Sequence, residues 1–159
     1  MKHAFHLMAS AALLALGASD ASAASAQAKT CPKPASGKDV GDVVRAFFAA
    51  LAADDHAAVQ RLTTPNFYAY DLGKRYSGPE LSKVIADAHK SGRIIQWNIG
   101  PVDARIDCNL AFAAWENNGA AGPHGQLQAR AWLESALLVR WGERWLIDFL
   151  HSTPKDPRK

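Results

Sequence analysis

Asp71 is the residue best suited to acid–base chemistry in this chain of 159 residues. It follows a short run predicted as a strand, Asn66 to Tyr70, and opens the turn Asp71-Leu72-Gly73-Lys74. A carboxylate there moves protons well if a pocket raises its pKa toward the working pH; the same Asp-Leu-Gly setting also suits an ordinary turn residue. His151, near the end of the last predicted strand, is the second candidate. In an apolar pocket it would titrate near neutrality or orient a ligand. Its neighbour Ser152 invites a base–nucleophile pairing, but adjacent strand residues point to opposite faces, which excludes it. A third group is aromatic. Trp97, Trp115 and Trp132 fall on consecutive predicted strands and, with Glu116, Arg130 and Glu134, would make an aromatic wall carrying a few charged handles. Phe47 and Tyr70 complete the candidate ligand-binding set. Core packing is the competing role for the tryptophans, and only the strand register decides between them.

Other chemistries find no support. His56, His89 and His124 are widely separated, with no H-x-H, H-x-x-x-H or H-x-x-E spacing among them, so no metal site is expected. No Gly-rich phosphate loop is present, and no cofactor is expected. The net charge is only +3, without a stripe of Lys and Arg interleaved with aromatics, which argues against nucleic-acid binding.

The start of the chain reads as a targeting segment. Lys2 and His3 precede an apolar run from Leu7 to Leu16, followed by the small-residue sites Ala21-Ser22-Ala23, Ala24-Ser25-Ala26 and Ala26-Gln27-Ala28. This predicts a signal peptide over 1–28, cut after 23, 26 or 28, and a periplasmic or secreted protein with no membrane span once it is removed. The apolar run is well short of the roughly 20 residues a spanning helix needs. In an oxidising compartment the two cysteines, Cys31 and Cys108, are expected to pair and to pin the Pro-rich leader to the sheet. They lack the C-x-x-C spacing of a redox pair.

These residues must be positioned by the elements between them. After an extended leader over 29–38, a helix is predicted from Asp39, which would cap it, with Val40, Val43, Val44, Phe47 and Leu51 on one face. A short second helix carries Val59 and Leu62. Ser77-Gly78-Pro79-Glu80 opens a third, with Leu81, Val84, Ile85 and Ala88 as its buried stripe. From Arg93 the period changes to two: Ile95, Trp97 and Ile99 share a face, Gly100-Pro101 interrupts, and further strands follow through a closing hairpin at Trp141-Gly142-Glu143-Arg144. In the last strand Trp145, Ile147, Phe149 and His151 alternate with Leu146, Asp148, Leu150 and Ser152. Helices followed by strands predict an α+β domain over 39–154, a strongly curved, cone-shaped antiparallel sheet wrapped by three N-terminal helices, with a basic tail over 155–159.

Over residues 39 to 154 the chain resembles the nuclear transport factor 2-like superfamily, in particular its ketosteroid-isomerase-like and polyketide-cyclase-like branch. The matching pieces are Val44 to Leu51, Asp54-Asp55-x-x-Ala58-Val59, Phe67-x-x-Tyr70-Asp71, Tyr76 to Leu81, and Arg140 to Ile147 leading to His151-Ser152-x-Pro154. The resemblance implies a pocket fold and a base at Asp71. It also implies that the isomerases' remaining machinery is missing, because the oxyanion-hole tyrosine matches Phe47 and the partner acid matches Leu137. Removing one donor of such a hole costs about 3–4 kcal/mol of transition-state stabilisation. The leading expectation is therefore an exported domain that binds a small apolar or aromatic molecule. The alternatives are an isomerase, cyclase or dehydratase using Asp71 and His151 as acid and base, and a homodimeric interaction module.

Overall fold

The computed structural model divides the chain into two units, Met1–Thr30 and Cys31–Lys159. It describes Cys31 and residues 36–155, all in the second unit. The expected signal peptide, most of the leader and most of the basic tail lie outside the described residues.

Helix α1 (Gly37–Ala52) begins two residues before the expected cap. Ser36 is the cap, and Asp39 closes a capping box by accepting from the Ser36 backbone N–H. Its buried face, Val40, Val44, Phe47, Phe48 and Leu51, is the floor of the core. Asp55 caps α2 (His56–Leu62), accepting from the Ala58 N–H at 2.8 Å. Strand β1 (Thr63–Asp71) and β2 (Lys74–Ser77) come next and form a hairpin. Leu72 and Gly73, both at positive φ (48° and 74°), make the two-residue reversal that matches strand twist. Helix α3 (Gly78–Lys90) therefore follows two strands, and the three helices are not consecutive.

The remaining chain is β3 (Arg93–Gln96), β4 (Asp103–Asp107), β5 (Leu110–Pro123), β6 (Gln128–Trp141) and β7 (Arg144–Pro154). The sheet runs β2-β1-β7-β6-β5-β3, with β4 also on β5. β3 and β4 are two halves of one edge, split where Gly100-Pro101 was expected to bend it. β1 lies parallel to β7, so the sheet is mixed where an antiparallel one was expected. It curls through 194° into a half-barrel, and the helices close its concave side. Between Gln96 and β5 the backbones approach so closely that a Cβ at Gly119 would lie 1.8 Å from the Gln96 carbonyl oxygen. Only glycine fits there.

One irregularity decides which side chains face inward. β7 pairs Leu137 with Phe149 but Leu138 with Ile147, leaving Asp148 as an extra, bulged residue. Its carboxylate accepts from the Thr64 hydroxyl at 2.6 Å. Trp145 and Ile147 are inward before the bulge, and Leu150 and Ser152 after it. The simple alternation that grouped Phe149 and His151 with Trp145 is corrected by that single residue.

Candidate functional site

A cavity of about 680 Å³ opens between the helices and the concave sheet. Its apolar wall comes from Phe48 and Leu51 on α1, Leu81 and Ile85 on α3, Ile95 on β3 and Trp97 just after it, Trp132 on β6 and Leu150 on β7. That is the size and lining of a small-molecule site. Across its floor the strand register aligns one row of side chains. Asp71 ends β1, which runs beside β7 in the register Tyr70 to His151, and Ser152 of β7 lies opposite Glu134 of β6, itself opposite Trp115 of β5.

Glu134 is the centre of that row. Only 5% of it is exposed. Its Oε2 accepts from Trp115 Nε1 at 2.7 Å and Asn117 Nδ2 at 2.9 Å, and its Oε1 accepts from the Ser152 hydroxyl at 3.0 Å. Asn117, fully buried, uses its carbonyl oxygen to accept the Asn98 backbone N–H at 2.9 Å, tying the network to the bend between β3 and β4. Burial pushes the Glu134 carboxyl above its ordinary range, against the pull of the three donors, and the Asp71 charge adds to the rise. Burial likewise raises Asp71, opposed by the Leu72 backbone N–H and by the charge of His151. Two carboxyls of raised pKa thus face one apolar cavity. Carboxyls so placed are suited to holding or exchanging a proton with a bound molecule.

The other sequence candidates distribute as follows. Trp97, Arg130 and Trp132 line the cavity with Asp71. Trp115 does not line it; it is a buried donor to Glu134. Phe47 is fully buried against Phe48 and Phe67, and its neighbour Phe48 is the residue that lines the cavity. Tyr70 lies on the convex face, in an aromatic cluster with Tyr68 and Phe149. His151 is exposed and outside the cavity, because the Asp148 bulge reverses its facing; it acts on Asp71 only through its charge. Asp71 and His151 are therefore not convergent across the cavity. Leu137, where the resemblance looked for an acid, belongs to the opposite face, three residues from the acid that the cavity holds.

Glu134 and Ser152 are the residues that sequence reasoning undervalued. Their signal was polar residues at alternate positions, Trp115-x-Asn117 on one strand and Trp132-x-Glu134 on the next. It becomes legible once the register makes them neighbours. Cys31 and Cys108 are joined by a disulfide.

A curled mixed sheet closed by three helices around an acid-floored cavity defines a pocket domain with the nuclear transport factor 2-like fold. Solved structures bear this out. A ketosteroid isomerase-like protein from Erwinia carotovora atroseptica superposes with a TM-score of 0.62 at 17% identity, over 76% of this chain and 96% of that one. A candidate dehydratase of the NTF2-like family from Streptomyces avermitilis gives 0.64 at 18% identity, over 75% and 95%. An NTF2-like protein from Cytophaga hutchinsonii gives 0.62 at 9% identity, over 77% and 100%. No protein-family model and no curated protein matches the sequence.

Proposed function

We propose that this domain binds a small, largely apolar or aromatic molecule in its cavity, in the periplasm or outside the cell. The observation that carries the reading is the cavity itself, about 680 Å³ with an aliphatic and aromatic wall and a few polar groups at fixed positions. Trp97 and Trp132 are its aromatic contacts, and Arg130 is one of its charged ones. The disulfide fits an oxidising compartment, as does the reading of residues 1–28 as a signal peptide. Among the described residues no helix is long and apolar enough to cross a membrane. Titration of the purified protein with neutral aromatic probes, followed by tryptophan fluorescence, tests the binding. Saturable quenching that weakens in Trp132→Ala is the expected result, and absence of saturable quenching overturns the reading. N-terminal sequencing of the exported protein tests the compartment; a chain beginning at residue 24, 27 or 29 is expected.

A second reading, proton transfer on the bound molecule, is favoured by the convergence of Asp71 and Glu134 on the cavity. In it Asp71 is the base and Glu134, whose carboxyl burial raises above its ordinary range, is the acid that donates to developing negative charge. The Kemp elimination of 5-nitrobenzisoxazole is a substrate-independent test, since any carboxylate base in an apolar cavity accelerates it. A rate no faster than free acetate, or one unchanged in Asp71→Asn, sinks this reading.

The convex face of the sheet suggests a homodimer. Leu110, Phe112 and Leu133 are exposed there beside the Tyr68–Tyr70–Phe149 cluster. Light scattering on wild type and Phe112→Lys tests it; a monomeric wild type removes the idea.

A further inference from the structure

The cavity has two chemically different ends. Its floor carries Asp71 and Glu134. Its mouth carries two guanidinium groups, Arg93 and Arg130, from two different strands. Both follow from the inward alternation of the sheet. Arg93, Ile95 and Trp97 occupy successive inward positions at the edge, and Arg130, Trp132 and Glu134 do so along β6. Along β6 the burial rises steadily, from exposed Arg130 through half-buried Trp132 to buried Glu134. Four residues of strand separate the first from the last, roughly 13 Å.

Among the described residues neither arginine has a carboxylate partner. Arg130 donates to the neutral Gln128 side-chain oxygen at 2.8 Å, and Arg93 takes part in no ion pair. The third cation at the mouth, Lys155, is already neutralised by Glu116 at 2.7 Å. The floor is the reverse case. Glu134 has its own three donors, and the charges acting on the two carboxyls come from Asp71 and His151 rather than from the guanidiniums. The positive charge of the cavity that lacks a carboxylate partner therefore sits at the rim, where the guanidiniums offer their remaining N–H donors to an oxyanion.

We propose that the molecule taken into this cavity is an amphipathic anion: an aromatic or alicyclic body whose carboxylate or sulfonate is held at the mouth by Arg93 and Arg130, with its uncharged end on the Asp71–Glu134 floor. The orientation is set by exclusion as much as by attraction. An anionic group driven to the floor would meet two carboxyls, and an apolar end left at the mouth would stay in water while the tryptophan wall went uncovered. This proposal rests on the ligand-binding reading above and names its ligand class.

Two probes that share an aromatic skeleton separate the two statements: the anion 8-anilinonaphthalene-1-sulfonate and the neutral N-phenyl-1-naphthylamine. Wild type is expected to bind the sulfonate more tightly. The Arg93→Gln/Arg130→Gln double variant should lose about tenfold in sulfonate affinity while keeping its affinity for the neutral probe. Arg93→Lys/Arg130→Lys, which keeps the charge, should recover most of the loss, and added salt should weaken only the sulfonate. Trp132→Ala should weaken both probes, locating them in the cavity. If wild type binds neither probe, the ligand-binding reading fails and this proposal with it. If both bind and the Gln variant treats them alike, the anion proposal alone falls. It falls equally if Trp132→Ala leaves the sulfonate unaffected, since the anion then binds elsewhere.

Discussion

A carboxylate at position 134 is buried among three donors, and it is held there at some cost in stability. Its folded pKa is raised above the ordinary 4.5, with burial as the main cause. The folded state thus keeps a proton that the unfolded chain releases. The contribution to stability is full below about pH 4.5 and is lost as pH rises through the folded pKa. Gln at this position does not titrate. Its oxygen can still accept from Trp115 and Asn117, and its amide can donate to Ser152. Glu134→Gln is expected to gain stability relative to wild type as pH rises from 4.5 upward, measured as urea midpoints over a pH series. A parallel pH dependence of the two proteins would refute the assignment. Glu134→Leu leaves the Trp115 and Asn117 donors buried without acceptors and should cost about 2–4 kcal/mol. Asp71 is less buried and raised by the same cause, so Asp71→Asn should show a weaker effect of the same sign.

At the scale of elements, strand facing was legible wherever alternation was unbroken. The inward set Ile95 and Trp97 followed from period two alone. It failed at β7, where Asp148 is inserted and every later residue changes sides. Nothing in Trp145-Leu146-Ile147-Asp148-Phe149 announces a bulge. The bulged Asp148 takes its hydrogen bond from a partner 84 residues away in sequence, the Thr64 hydroxyl. The parallel β1–β7 pairing was hidden for a similar reason, because the two strands lie at opposite ends of the domain. Gly119 is the complementary case, a glycine required inside a strand. Gly119→Ala would press a methyl group against the Gln96 carbonyl. It should destabilise the domain by about 1–3 kcal/mol through displacement of β3. Chemical denaturation checks this, and an unchanged midpoint would mean that β3 yields freely.

Across the whole molecule the Cys31–Cys108 bridge fastens the start of the domain to the turn between β4 and β5. It spans 77 residues, and the chain-entropy relation puts its contribution at about 4–5 kcal/mol at most. The reduced protein, or Cys31→Ser/Cys108→Ser, should therefore unfold at clearly lower urea with nearly unchanged probe binding, because neither cysteine lines the cavity. Equal stability of the oxidised and reduced forms would show that the leader contributes nothing to the fold. Loss of probe binding on reduction would show that the leader helps to shape the cavity.

Composition and periodicity by themselves determined the three helices, the strand-rich second half, the class of fold and the pairing of two cysteines. Those properties follow from local pattern and from counting. They also marked Asp71, Trp97, Arg130 and Trp132 as candidates. The tertiary structure decided which polar groups share a cavity, because that depends on register and on one bulged residue. Chain pattern made His151 the partner of Asp71. The folded sheet turns His151 outward and brings Asp71 into line with Glu134, since one extra residue in a strand reverses every facing beyond it.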